Sequence, residues 1–251
     1  MNGTQRQLQP PLELRFAAEL RMFLAPANRA GTVRVATDGT SSLGHVVESA
    51  GVPLTEVGSL LVNDRPEPPS YQPRAGDLVR VEAVSRPQPL PAPRFLLDVH
   101  LGALARRMRL VGVDTAYSND LGDDTLIDLA NSGGRVLLTK DRGLLRRRKL
   151  WLGAYVRGPR ADEQLADVLD RFAPPLAPWT RCVACNGPLE RVTKGEVAAQ
   201  LLAGTRRTYD EFCRCAGCGQ VYWRGAHSRR LTAIVAAATR SPGRSRPKPT
   251  A

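Results

Sequence analysis

Hydrophobic and polar residues alternate in short runs over the first 84 residues, with the period of two that half-buried strands show. These runs are LELRF within LELRFAAELRMFL (from residue 12), TVRVAT (32–37), SLLVND (59–64) and AGDLVRVEAV (75–84). The segment SSLGHVVESAGV (41–52) differs, because it places Leu43, Val46 and Val47 on one helical face between capping serines and Gly51. The pattern predicts a ββαββ domain.

After residue 94, short apolar strands alternate with amphipathic helices. The predicted strands are RFLLD (94–98), VDTAY (113–117), RVLLT (135–139) and LWLGAYV (150–156). The predicted helices are HLGALARRMRLVG (100–112), DDTLIDLANSGG (123–134), DRGLLRRR (141–148) and ADEQLADVLDRF (161–172). Alternation of this kind predicts a compact three-layer α/β domain with a mostly parallel sheet.

Proline-rich segments divide the chain. SRPQPLPAPR (85–94) has four prolines in ten residues and predicts a semi-rigid linker, and APPLAPW (173–179) is a second connector. TRSPGRSRPKPTA (239–251) is basic and low in complexity, so we expect disorder there. The predicted parts are an N-terminal domain (11–84), a linker (85–93), an α/β core (94–172), a cysteine-rich domain (173–235) and a disordered tail (236–251).

Charge is the unusual feature of the composition. The formal net charge is +12: nine basic and nine acidic residues cancel in 1–92, whereas 27 basic and 15 acidic residues lie in 93–251. A local basic excess is typical of a nucleic-acid-binding protein, and equally of an arginine-rich solvated surface. No apolar run is long enough to span a bilayer and no signal peptide is apparent, so we expect a cytoplasmic protein without membrane attachment.

Two C-x-x-C pairs predict a structural zinc site, because each pair lets two thiolates from one tight turn meet a tetrahedral ion. The pairs are Cys182 with Cys185 and Cys215 with Cys218. Four thiolates leave no open coordination position, so this metal would not be catalytic. Cys213 is an alternative to Cys215, and His227 is a weaker alternative ligand.

Acidic residues follow the predicted strands of the α/β core. Asp98 ends the first strand and Asp141 follows the third, while Asp123 and Asp124 open a helix. Since ligands bind at the carboxyl ends of parallel strands, these carboxylates are candidates for a Mg²⁺ or Mn²⁺ site that activates water. Asp123, Asp124 and also Asp162 have the alternative role of helix capping.

Basic residues near these carboxylates are candidate phosphate contacts. Each of them has the alternative role of a solvated helix residue. They are Lys140, Arg142, Arg146, Arg147 and Arg148 around Asp141, and Arg106, Arg107 and Arg109 on the first helix of the core.

Five motifs in order resemble the Mut-seven C-terminal RNase domain family over residues 94–230. They are FLLDVHLGALARRMRLVGVDTAY, DDTLIDLA, RVLLTKDRGLL, RCVACNGPL and CAGCGQVYWRGAH. The resemblance implies a PIN-like nuclease fold with a C-terminal zinc ribbon, RNase activity, and a Mg²⁺ or Mn²⁺ site at Asp98, Asp123 or Asp124, and Asp141. The fourth acidic position of that site has no clear match, with Asp162 the nearest candidate.

Residues 11–84 resemble the ubiquitin-like β-grasp domain found ahead of this RNase domain. Related sulfur carriers need a free Gly-Gly end, whereas this domain ends in VEAVSRPQ and continues. The resemblance therefore implies docking of a protein partner or positioning of RNA. The sequence predicts a metal-dependent ribonuclease. The alternatives are a non-catalytic RNA-binding adaptor and a tRNA- or ribosome-associated factor recruited through the β-grasp domain.

Overall fold

A computed structural model describes residues 10–37, 39–223, 233, 234 and 236 of the chain. The chain divides into two compact units. The first contains the described residues up to Ser85 together with Arg142–Arg148, and the second contains Arg86–Asp141 and the described residues from Lys149 onward.

A five-stranded sheet is the centre of the first unit. Its strands are β1 (Leu12–Phe16), β2 (Thr32–Val35), β3 (Val57–Val62), β4 (Arg65–Pro66) and β5 (Leu78–Ala83). They lie in the order β2-β1-β5-β3-β4, with β1 and β5 parallel and the other pairs antiparallel. This is the predicted ββαββ order with one additional two-residue strand.

The alternation in β1 decides which face of this sheet is buried. Leu12 and Leu14 are fully buried, whereas Glu13 and Arg15 lie on the other face and form an ion pair. Helix α1 (Leu43–Ser49) begins where the Ser42 hydroxyl accepts a hydrogen bond from the His45 amide. Such a cap satisfies an amide that the first helical turn leaves free.

A four-stranded parallel sheet forms the core of the second unit. Its strands are β6 (Arg94–Leu97), β7 (Asp114–Tyr117), β8 (Val136–Thr139) and β9 (Gly153–Tyr155), in the order β7-β6-β8-β9. The helices are α2 (Gly102–Leu110), α3 (Asp123–Ser132) and α5 (Ala161–Phe172), while α4 (Arg142–Leu145) belongs to the first unit. All four residues of β8 are buried, as expected for a parallel strand covered on both faces.

A second, antiparallel sheet follows the α/β core. It consists of β10 (Leu189–Val192), β11 (Phe212–Cys215) and β12 (Val221–Trp223), with β11 in the middle. Two short helices, α6 (Lys194–Val197) and α7 (Ala203–Thr208), lie between β10 and β11. Val197, Phe212 and Val221 form a small core under this sheet. We call residues 180–223 the ribbon.

The predicted architecture is confirmed: an N-terminal domain with a mixed sheet and one α-helix, an α/β domain with a parallel sheet, and a C-terminal antiparallel ribbon that contains the cysteine pairs. Several elements are shorter than predicted, among them α4 and β9. Helix α4 ends at Leu145, and β9 begins at Gly153 because the Asn131 side chain bonds the backbone of Lys149 and Trp151 in place of a strand. Apart from Ala236, the predicted disordered tail lies outside the described residues, as does His227. None of the helices described is both long and apolar enough to cross a bilayer.

Candidate functional site

Four cysteine sulfurs converge at the tip of the ribbon. The Sγ atoms of Cys182, Cys185, Cys215 and Cys218 all lie within 4.8 Å of one another. Cys182 and Cys215 are buried, whereas Cys185 and Cys218 are exposed. Sulfurs at this spacing from two tight turns match the tetrahedral thiolate set of a structural zinc site.

Hydrogen bonds favour the thiolate at one of these positions. Burial raises the pKa of the Cys182 thiol, but the Tyr222 hydroxyl, 3.0 Å from the sulfur, and the backbone amides of Cys185 and Ala184 outweigh it. Its pKa falls to about 6. The Gly187 amide lowers the pKa of Cys185, yet burial and the neighbouring sulfurs raise it to about 12. Thiolates crowded together repel, and a divalent cation bound by all four removes that conflict.

Cys215, and not Cys213, belongs to the group of converging sulfurs. Cys213 lies two residues earlier in β11, opposite Tyr222, and is outside the group of four converging sulfurs. Because side chains alternate along a strand, Cys213 and Cys215 share a face of the sheet but sit at different heights along it. The C-x-x-C turn therefore selects Cys215.

Arg109 ties the first cysteine turn to the α/β core. Its side chain is only 3% exposed, and its guanidinium donates to the backbone oxygens of Thr115 (2.9 Å), Val183 (3.1 Å) and Ala184 (2.6 Å). Burial lowers the pKa of Arg109, and Cys182 and Cys185 partly oppose that shift. The prediction that Arg109 contacts phosphate is wrong, because its donors point into the protein.

A second set of contacts reinforces this attachment. Asp114, at the start of β7, accepts hydrogen bonds from Arg135 (2.8 Å) and from the Asn186 side-chain amide (2.9 Å). Burial raises the pKa of the Asp114 carboxyl, but these bonds and the charges of Arg135 and Arg181 outweigh it, so the pKa lies below its ordinary value. Asn186 adopts a left-handed conformation with φ of 70°, which asparagine tolerates well.

The connector between α5 and the ribbon runs along the end of α2. The Ala177 amide donates to the Val111 oxygen (3.0 Å), and Gly112, with φ of 85°, lies against the same connector. A Cβ atom on Gly112 would lie 1.9 Å from the Ala177 oxygen. Only glycine therefore permits this approach.

Replacing Arg109 with Met should destabilise the chain by about 2–4 kcal/mol, because three buried carbonyls lose charged donors. Thermal unfolding measures the loss of stability. Faster release of zinc to a chelator would show that the destabilisation begins at the first cysteine turn. Arg106→Met is the matched control, since Arg106 is an exposed residue of the same helix. Equal stability of the two variants would contradict the role assigned to Arg109.

The acidic residues at the sheet edge are linked through one hydroxyl. Asp98 is 8% exposed; its Oδ1 accepts from the Val99 amide (2.6 Å) and its Oδ2 accepts from the Thr139 hydroxyl (2.6 Å). The same hydroxyl accepts from the Asp141 amide (2.9 Å). Asp98 and Asp141 follow the neighbouring strands β6 and β8, so the structure brings these two predicted residues to one place.

The other predicted carboxylates are those of Asp123 and Asp124 on α3 and of Asp162 on α5. Asp123 and Asp124 are exposed in the first turn of α3, with Gly122 rather than either aspartate at the capping position. Asp162 forms an ion pair with Arg107 (2.8 Å). Among the described residues, the four cysteines are the one group of three or more ligating side chains within 4.8 Å of one another. The described structure therefore links the Asp98 carboxylate to the Asp141 backbone through Thr139, and no third ligating side chain completes a group with these two aspartates within 4.8 Å of one another.

Several of the eight basic candidates, besides Arg109, are engaged with protein atoms. Lys140 donates to the Gly158 oxygen (2.6 Å), and Arg107 bonds Asp162. Arg142, in the first unit, donates to the Met22 oxygen (2.8 Å) and lies 5.1 Å from the centre of the Phe23 ring. Arg106 and Arg146 are exposed. Their contact with nucleic acid stays a prediction.

The sequence analysis did not identify Thr139 as a site residue or Arg109 as a buried one, although the sequence around each contains an indication of its role. Thr139 is the polar residue that closes the apolar run RVLLT, directly before Lys140-Asp141. Arg109 follows buried Ala105 by four residues and so lies on the inner face of α2. The Asn186 side chain bonds Asp114, and the position of Asn186 directly after Cys185 in the sequence contains no sign of that partner.

An N-terminal ubiquitin-like domain, a parallel α/β domain and a four-cysteine ribbon define the class of this protein. The Mut7-C RNAse domain family matches residues 93–235, and the Mut7-C ubiquitin family matches residues 10–89. The chain belongs to the Mut7-C RNase domain family, with that family's ubiquitin-like domain in front. This membership supports a nuclease-like function in general. No curated protein and no solved structure was found to match the chain.

Proposed function

We propose that the protein is a metal-dependent ribonuclease that hydrolyses RNA phosphodiester bonds at the acidic edge of the parallel sheet. The observation that carries the proposal is the pair of aspartates joined through Thr139. Asp98 is oriented by two short hydrogen bonds, and Asp141 is exposed at the neighbouring strand end. Ordered carboxylates at the carboxyl ends of parallel strands are typical of a catalytic cation site.

The donor chemistry of this edge fits Mg²⁺ or Mn²⁺. Each Asp98 oxygen accepts one hydrogen bond and retains a second lone pair for a cation. Asp98 and Asp141 would hold the ion, with Asp123 or Asp124 from α3. Bound there, the cation would lower the pKa of a water molecule and stabilise charge on the phosphate.

The chain's own residues have distinct tasks in this proposal. Thr139 keeps Asp98 in one rotamer and fixes the Asp141 backbone beside it. The exposed Asp141 carboxylate is accessible to a water molecule and can orient it towards phosphorus by accepting its proton. Arg106 and Arg146, both exposed, would attract the phosphate backbone. The four cysteines would hold zinc in a structural role.

A non-catalytic RNA-binding adaptor is the second candidate. It is favoured by the spacing of the acidic edge, since the described residues gather no three carboxylates within 4.8 Å. An adaptor would have the same fold and bind RNA through its basic surface, but it would not cleave the RNA.

One assay separates the two candidates. Zinc-loaded protein is incubated with a 30-nucleotide RNA labelled at its 5′ end, with Mn²⁺, with Mg²⁺ and with neither. We expect cleavage only with Mn²⁺ or Mg²⁺. Tight binding without cleavage under all conditions would favour the adaptor, and cleavage without either ion would contradict metal dependence.

A further inference from the structure

An aromatic pocket lies on the ribbon, away from the acidic edge. Its volume is about 440 Å³, within the range of small-ligand sites. We call it the aromatic pocket. The lining residues that matter here are Trp179, Arg191, Glu211, Phe212, Tyr222 and Trp223.

Two rings of this pocket, those of Phe212 and Tyr222, are held in place. Phe212 is buried and forms part of the small ribbon core, while the Tyr222 hydroxyl bonds Cys182 Sγ at 3.0 Å. Trp179 has φ of 66°, a left-handed conformation that is rare for a bulky side chain. Trp223 is 39% exposed, so one ring remains accessible at the rim. Fixed aromatic faces bind planar ligands at low entropic cost.

A smaller pocket of about 210 Å³ adjoins it and shares Trp179 and Tyr222. Three arginines line this pocket: Arg106 and Arg107 from α2, and Arg181 from the ribbon. Within the described residues, Arg106 in the small pocket and Arg191 in the aromatic pocket form no ion pair. Arg107 pairs with Asp162 and Arg181 with Asp114, so Arg106 and Arg191 supply the positive charge beside the aromatic surface. Cationic and aromatic side chains together are the composition of single-strand-binding sites.

Acidic residues in the aromatic pocket restrict the kind of ligand group that it can bind. Glu211 and Asp210 also line the aromatic pocket, and Asp210 pairs with Lys194. Carboxylates repel bare phosphate, but they accept hydrogen bonds from the amino groups of bases. The pocket therefore suits a base, and the arginines suit the phosphates on either side of it.

We propose that the aromatic pocket binds an unpaired base of single-stranded RNA by stacking on Trp223, with flanking phosphates on Arg191 and Arg106. This inference rests on the proposed function only in taking RNA as the ligand. Asp98 precedes α2, and the pocket lies at the other end of that helix, where the Trp179 amide meets the Leu110 oxygen. Nine helical residues span about 13 Å, so the pocket would hold RNA away from the cleaved bond.

Binding is measured by fluorescence anisotropy with a labelled 12-nucleotide oligo(A) RNA and a 12-residue abasic RNA, without added Mg²⁺ or Mn²⁺. We expect oligo(A) to bind about 10-fold more tightly than the abasic strand. Trp223→Ala should weaken oligo(A) binding about 10-fold, the size expected from loss of one stacked base. Trp223→Phe, which keeps a ring, should stay near wild type.

Trp151→Ala is the matched control, because Trp151 is 74% exposed and lies outside both pockets. Arg191→Ala should reduce the slope of log affinity against log salt by about 0.7, whereas Trp223→Ala should leave the slope unchanged. In a Trp151→Phe background, the two remaining tryptophans both line the pocket, so oligo(A) should quench their fluorescence.

Equal affinity for oligo(A) and the abasic strand would overturn the proposal, because charge alone would then explain binding. Undiminished oligo(A) binding by Trp223→Ala, or a pocket whose fluorescence does not respond, would also overturn it. The binding assay and the cleavage assay are separate measurements, so the two proposals can fail separately. Base-dependent binding by a protein that does not cleave RNA would refute the nuclease alone. Cleavage by a protein without base-dependent binding would refute the pocket alone.

Discussion

Asp98→Asn should lower the rate of metal-dependent RNA cleavage by about 10³-fold, equivalent to about 4 kcal/mol of transition-state stabilisation. An amide cannot replace the carboxylate charge that holds the cation, yet it can keep the hydrogen bond from the Val99 amide. The measurement is single-turnover cleavage of the 30-nucleotide RNA at saturating Mn²⁺. Thr139→Val should lower the cleavage rate less, by about 10- to 100-fold, because Thr139 only orients the Asp98 carboxylate.

Asp64→Asn is the matched control for this substitution. Asp64 is an exposed residue of the first unit that pairs with Arg80, and its left-handed backbone suits asparagine equally well. We expect its cleavage rate to remain within twofold of the wild type. Full activity of Asp98→Asn and Asp141→Asn would exclude the acidic edge as the reaction centre.

Loss of the metal from the cysteine cluster should destabilise the second unit by more than about 4 kcal/mol. Without the ion, the cysteine turn no longer holds the carbonyls of Val183 and Ala184 against Arg109, which leaves a buried charge with the Thr115 oxygen as its remaining acceptor. Cys182→Ser, measured by zinc content and thermal unfolding, should bind less than one zinc per chain and unfold about 10 °C lower.

Cys213→Ser provides the control, since Cys213 is outside the converging sulfurs. It should keep one zinc per chain and the wild-type unfolding temperature. Equal zinc loss by both variants would show that the ribbon is sensitive to any thiol replacement. A wild-type chain that purifies without zinc and unfolds at the same temperature after zinc is added would contradict the structural role.

Local patterns predicted most of the fold because each element carries its own signal. The buried strand RVLLT, the Ser42 cap and the two C-x-x-C turns all depend on neighbouring residues. The two predicted metal sites differ in this respect. The cysteine cluster follows from spacing within two turns, whereas the meeting of Asp98 and Asp141 requires β6 and β8 to be neighbours in the sheet. The predicted domain limits and the cytoplasmic location stay predictions.

Long-range partners could not be predicted. Arg106, Arg107 and Arg109 look alike in a basic helix, yet one is exposed, one pairs with Asp162 and one is buried against the ribbon. The environments of these three arginines depend on the face of α2 that each occupies and on where the ribbon packs against the helix. The position of the ribbon depends on the fold of the whole second unit. The aromatic pocket likewise combines residues from the connector, β10, β11 and β12, and the outermost of them, Pro178 and Trp223, are 45 positions apart.

The contacts of Arg109, Asp114 and Gly112 have a consequence for how this protein can be dissected. A fragment that stopped at Phe172 would contain every strand of the parallel sheet but none of the acceptors on the first cysteine turn. It would expose the part of α2 that the ribbon covers and leave the Arg109 guanidinium with one of its three backbone acceptors, the Thr115 oxygen. The smallest autonomous piece of the second unit therefore extends through the ribbon, and exchange of the ribbon for another zinc-binding segment would require a matching turn for Arg109.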